Sequence, residues 1–139
     1  MKLQDLMMMD WILVENKPYR YLCPSLNNNN EIDDGIWIQD KDGKQYYTGI
    51  EDISPVPITT EILEKNEFFN EDGYNYHYSN DDKNLFVTFY PKNKNYTNGS
   101  YDYVTISRGC ITIDELPIEH IHQLQHVLRL CGINENIIL

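Results

Sequence analysis

The chain is short of cysteine, of basic residues and of long apolar runs, and each shortage removes a class of protein. Three cysteines, Cys23, Cys110 and Cys131, are scattered over 139 residues without a C-x-x-C pair. An odd, scattered set is no disulfide framework and fits reduced thiols in a reducing compartment. Eleven Lys and Arg stand against 22 Asp and Glu, a formal net charge of −11. That balance repels a nucleic-acid backbone and an anionic membrane surface, so direct binding to either is not expected. No stretch approaches the roughly 20 apolar residues of a membrane span. The opening MKLQDLMMMD lacks the apolar length and small-residue cleavage site of a secretory leader. A cytoplasmic protein is expected, in which the glycosylation sequons at 95–97 and 98–100 are chance products of an Asn-rich chain. There is also no P-loop, GxGxxG, GxSxG or paired-carboxylate motif, and no cofactor is expected.

What remains is patterning. Residues 9–14 and 18–23 are apolar, aromatic runs joined by Glu15-Asn16-Lys17, which predicts a hairpin. A polar loop with four consecutive Asn covers 24–34. Residues 35–39 and 44–50 are strand-like around Asp42-Gly43, a pair in which both residues can take positive φ. Pro55 and Pro57 hold 52–58 extended. Five short strands in this span predict a small bent sheet or an SH3-like β-barrel. Residues 59–66 form a short helix capped by Thr59 or Thr60. Residues 74–78, 85–90, 101–107 and 110–113 read as an antiparallel meander, with a flexible loop at 91–100.

The longest helical period lies between Asp114 and Gly132. At about 100° per residue, Ile121, Leu124, Leu128 and Cys131 share one stripe, with Ile118 and Val127 at its margins. Glu119, His122, Gln123, His126, Arg129 and Leu130 lie opposite. Asp114 is read as the cap, with Glu115 and Pro117 in the first turn. Gly132 is read as the left-handed stop, with Ile133 folding back on Leu128. A terminal strand at 136–139 follows. The expected fold is α+β: a β-rich N-terminal subdomain at 1–58, then an α+β subdomain at 59–139 in which this helix covers the meander, the two together making one compact unit.

Three patches resemble a family of small uncharacterised proteins of gut Bacteroidetes and their phages and mobile elements. They are DLMMMDW (5–11) with KPYR (17–20), ISPVPITTEILEKNEF (53–68), and HIHQLQHVLRLCGI (120–133). Met9 stands where that family carries Gly. Glu67 stands where it carries Gly after Asn66, which passes the left-handed conformation to Asn66. The resemblance implies a phage or mobile-element protein and brings no catalytic residues with it.

Two constellations carry chemistry. His122 and His126, spaced i, i+4 with Arg129 beside them, can place two imidazoles on one metal ion, the basis of a metal-dependent enzyme reading. A zinc site needs a third ligand and a general base, and Gln-Leu-Gln intervenes where H-E-x-x-H has its Glu. A polar helix face is the plainer account, and no metal is expected. The second constellation is aromatic. Eleven tyrosines are many for this length, and Tyr74, Tyr76, Tyr78, Tyr101 and Tyr103 sit on predicted strands that turn alternate side chains outward. His77, within the same run, reads as a hydrogen-bonded structural histidine. A non-enzymatic module binding another protein is the leading expectation. An acidic inhibitor that mimics nucleic acid to occupy a host defence protein is the alternative.

Overall fold

The computed structural model describes residues 1–92, 101–133 and 137–139. The loop at 93–100, with its sequons, and residues 134–136 lie outside the described residues. Among the described residues are nine strands in two antiparallel sheets, two α-helices and no closed barrel, an α+β architecture. Contacts gather the chain into two units, Met1–Pro57 with His120–Gln125, and Ile58–Glu119 with His126–Leu139.

The first unit holds β1 (Trp11–Val14), β2 (Lys17–Leu26), β3 (Ile32–Gln39), β4 (Gln45–Gly49) and β5 (Ile53–Pro55), in the spatial order β4-β3-β2-β1-β5. Glu15 and Asn16 turn β1 into β2 with φ of 51° and 63°. Their double left-handed geometry matches strand twist. Strand β2 runs further than the sequence suggests, to Leu26, and bends at register shifts Tyr21/Cys23 and Pro24/Leu26. Pro24, which has no N–H to give a ladder, sits at these irregularities. The Asn-rich loop therefore shrinks to 27–31, where Asn27 Oδ1 accepts the N–H of Asn29 and Glu31. The β3–β4 turn also differs from expectation. Gly43 takes φ 84° and Asp42 does not. Asp40 organises the turn instead, accepting the N–H groups of Asp42 and Lys44 at 2.9 Å. Beneath the sheet, Leu6, Ile12, Tyr21, Ile36, Ile38 and Ile53 form a buried cluster.

The second unit begins with α1 (Thr60–Lys65), capped by Thr59, whose hydroxyl accepts the Ile62 N–H. The residue that ends it is a correction. Asn66 has φ −107°, and Glu67 takes the left-handed position at φ 66°. Phe68 N–H then returns to Leu63 O and Glu67 N–H to Glu64 O, the double bond pattern of a Schellman stop. The meander β6 (Tyr76–Asn80), β7 (Leu85–Tyr90), β8 (Tyr103–Arg108) and β9 (Ile111–Pro117) follows in sequential order. Tyr76, Val87, Phe89, Val104 and Ile106 are buried on one face, as cross-strand pairing Tyr76↔Phe89↔Val104 requires.

Strand β9 overturns the expected helix start. Asp114, Glu115 and Pro117 belong to β9, and α2 spans Ile121–Leu130. The cap is His120, whose N–H goes to Gln123 Oε1 at 3.0 Å while its carbonyl accepts from Leu124. This is the reciprocal half of a capping box, built with Gln at the third helical position. The stop is as expected: Gly132 has φ 69°, and Ile133 N–H bonds Leu128 O at 2.9 Å. The terminal strand is not formed at 137–139. Ile138 instead exchanges two hydrogen bonds of 2.8 Å with the Asn66 side-chain amide.

Candidate functional site

The helix bearing the HIHQLQH run belongs to both units, and its polar residues are placed differently from the sequence reading. Ile118, Ile121, Leu124, Val127, Leu128 and Cys131 are buried as expected. So are His122 and Gln125, whereas Leu130 is 86% exposed. Gln125 carries no motif in the sequence. Its Oε1 accepts the Trp11 N–H at 3.0 Å and its Nε2 reaches Met9 O at 3.4 Å. Arg20 meets the same carbonyl through Nη1 at 2.7 Å and lays its guanidinium 3.7 Å over the Trp11 ring. Met9 holds φ 72° to present that carbonyl. The MDW, KPYR and HQLQH runs thus meet in one part-buried network around the buried Gln125, which ties β1 to α2 within the first unit.

His122, in the first unit, stacks on the His120 ring at 5.7 Å between centroids. His126 and Arg129, both half-buried, belong to the second. Among the described residues no group of three or more His, Cys, Asp or Glu side chains converges as metal ligands do.

The tyrosines divide by strand parity. Tyr76 is buried, and Tyr78 turns to the same side, with its ring 5.5 Å from Phe68. Tyr103 lies on the opposite face, stacked on Tyr90 at 4.6 Å with Tyr101 6.0 Å away. Tyr74 is exposed ahead of β6. The five therefore do not make one surface.

The other face of β6 and β7 carries His77, the exposed Phe86 and the buried Thr88. His77 lies between Phe69 and Phe86, with centroid distances of 5.8 and 5.6 Å. Its Nδ1 is 3.1 Å from Thr88 Oγ1, and its Nε2 is 3.9 Å from Asp72 Oδ2. Phe69 is held there by a two-way bridge to His77, N–H to O at 2.8 Å in both directions. Phe69 and Phe86 remain 40% and 43% exposed. Asp72 closes the preceding turn by accepting the N–H groups of Tyr74 and Asn75 at 2.7 and 2.8 Å. Those bonds, that of Asn75 foremost, hold its carboxyl below the usual range. Asn75 Oδ1 is buried without a hydrogen-bond partner among the described residues. An Asp–His–Thr series invites comparison with an acyl-transfer triad, but Thr88 is buried away from any substrate and Asp72 stands 3.9 Å from His77, too far for the orienting hydrogen bond. What the arrangement offers is a rigid aromatic surface with a hydrogen-bonding imidazole in its middle.

A cavity of about 260 Å³ also opens in the second unit, walled by Phe68, Tyr78, Leu128, Ile133 and Ile137 and rimmed by Lys65 and Glu67. No protein-family model, curated protein or solved structure matches this sequence.

Proposed function

We propose that the protein is a non-enzymatic interaction module that binds another protein through the Phe69–His77–Phe86 face of its second unit. The observation that carries this reading is two large rings left in water on a sheet face already fixed by main-chain bonds. Scattered exposed apolar residues are ordinary. Adjacent ones, ordered around a polar group, match the aromatic anchors of protein interfaces. The finer fold reading for the first unit is an SH3-like β-barrel. Its support is the order β4-β3-β2-β1-β5, the bent β2 and the 3-10 turn at Ile50–Asp52 ahead of β5. The resemblance of the sequence patches supports a phage or mobile-element origin.

The test is capture from host lysate by the intact chain and by a Phe69→Ser/Phe86→Ser variant. A specific partner retained by the wild type and weakened about tenfold or more by the double substitution is expected. Partners held equally by both forms, or none held by either, would overturn the reading.

A further inference from the structure

The outer face of the first unit carries a second aromatic feature, independent of the one above. Trp37 and Tyr47 are directly paired across β3 and β4. Their rings meet edge to face, 5.8 Å apart and inclined at 71°, and are 41% and 53% exposed. Two neighbouring glycines, Gly35 and Gly49, are also directly paired and lie on the same face by strand alternation. The Tyr47 ring lies over Gly35, in the space a side chain there would fill. The carboxylates of Glu51 and Asp52 fold over Gly49. A Cβ at that position would lie 2.9 Å from Glu51 Oε1 and 3.0 Å from Asp52 Oδ2. Glycine at both places lets one ring and two carboxylates come down close to the sheet.

Side-chain charge on the segments that build this corner is of one sign. Residues 31–39 and 45–54 contain Glu31, Asp33, Asp34, Glu51 and Asp52, and no Lys or Arg. Glu51 and Asp52 form no ion pair with any described residue. Asp34 and Glu51 line one shallow concavity of about 420 Å³ together with Met1, Ile50 and Ile53. Two exposed rings beside carboxylates without an ion-pair partner are complementary to a cation that is also flat. A guanidinium stacks on an indole and forks to a carboxylate, which an ammonium cannot do. The same sheet already contains one such stack, Arg20 on Trp11.

We propose that the Trp37–Tyr47 corner, with Glu51 and Asp52, is a docking site for an arginine-bearing basic segment of a partner protein. The aromatic rings take the guanidinium face, and the carboxylates take its N–H edge.

The probe is a 12-residue Arg-Gly repeat peptide titrated into the intact protein by calorimetry, with the two indole N–H signals followed by NMR. Saturable binding is expected, moving the Trp37 indole and not that of Trp11, and weakening about fivefold or more as salt is raised. Trp37→Ala is expected to weaken it about tenfold. Gly35→Ala keeps the tyrosine but displaces its ring, and is expected to weaken binding comparably to Tyr47→Ala. Glu51→Gln/Asp52→Asn is expected to weaken it several-fold. Asp81→Asn/Asp82→Asn, which removes the same charge from an exposed turn of the other unit, is expected to leave it unchanged. Failure of the peptide to bind would overturn the proposal. So would unchanged affinity in Trp37→Ala and Gly35→Ala, equal loss in the two carboxylate variants, or equal binding of a Lys-Gly peptide.

Discussion

Left-handed backbone at side-chain-bearing residues is a local cost that can be measured one position at a time. Met9 and Glu67 hold φ of 72° and 66°. A side chain there costs about 1–2 kcal/mol relative to glycine, which offsets the ~0.4–1 kcal/mol that glycine loses through a freer unfolded chain. Glu67→Gly is therefore expected to raise stability by roughly 0.5–1 kcal/mol in denaturant titration. The β-branched Glu67→Val is expected to lower it. If both lowered it, the Glu67 carboxylate would be contributing something other than a helix stop. Asp72 makes a prediction of a different kind. Its carboxyl is depressed chiefly by the N–H groups of Asn75 and Tyr74. A depressed carboxyl stabilises the fold above its unfolded value of 3.8, and the contribution is lost as pH falls through the folded value. Wild type should thus exceed Asp72→Asn in stability at pH 7, with the gap closing below about pH 3.8. A gap that stayed constant in acid would show that the oxygen acts as a neutral acceptor.

Element by element, legibility follows from whether the deciding interaction is local. The Gly132 stop, the Thr59 cap and the hairpin at 15–17 depend on residues a few positions apart, and the pattern shows them. The corner at Trp37 and Tyr47 was within reach too. Once Asp40 N–H pairs with Lys44 O, Gln39 faces Gln45 and Trp37 must face Tyr47. A turn at Asp42-Gly43 alone points to a different register and leaves Trp37 and Tyr47 unpaired. Strand β9 is legible at 111–113, and its second half, Asp114–Pro117, is harder. Its residues are mostly exposed, so no alternation of burial marks it, and Asp114, Glu115 and Pro117 look like a helix's first turn. Tyr76 and Tyr78 misled for another reason: alternation shows that two faces exist, and only pairing with Phe89 and Val87 shows which one is buried. Gln125 was invisible, since its partners lie 114 and 116 residues away. Gln125→Leu removes both bonds of a fully buried side chain to half-exposed partners, and a loss of roughly 1–2 kcal/mol is expected by denaturant titration. A loss under about 0.5 kcal/mol would mean the network is dispensable to β1 and α2.

For the molecule as a whole, the question is whether two units behave as one. Helix α2 gives Ile121–Gln125 to the first and His126–Leu130 to the second, with no break between them. A helix turn cannot lose its neighbour cheaply, because ends expose unpaired backbone groups and nucleation is costly. Unfolding of either unit should therefore frays the other's share of the helix and couple the two transitions. The chain carries its own probes. Both tryptophans, Trp11 and Trp37, are in the first unit. Cys131 is buried in the second, and burial pushes its thiol above the ordinary value against the opposing charge of Arg108. Exposed Cys23 and Cys110 can be removed as Cys23→Ser/Cys110→Ser so that thiol labelling reports Cys131 alone. Tryptophan emission and Cys131 labelling, followed through one denaturant series, are expected to share a midpoint. Two separated midpoints would mean that the helix melts between Gln125 and His126, and that the face around His77 and the corner at Trp37 reside on independently folding units.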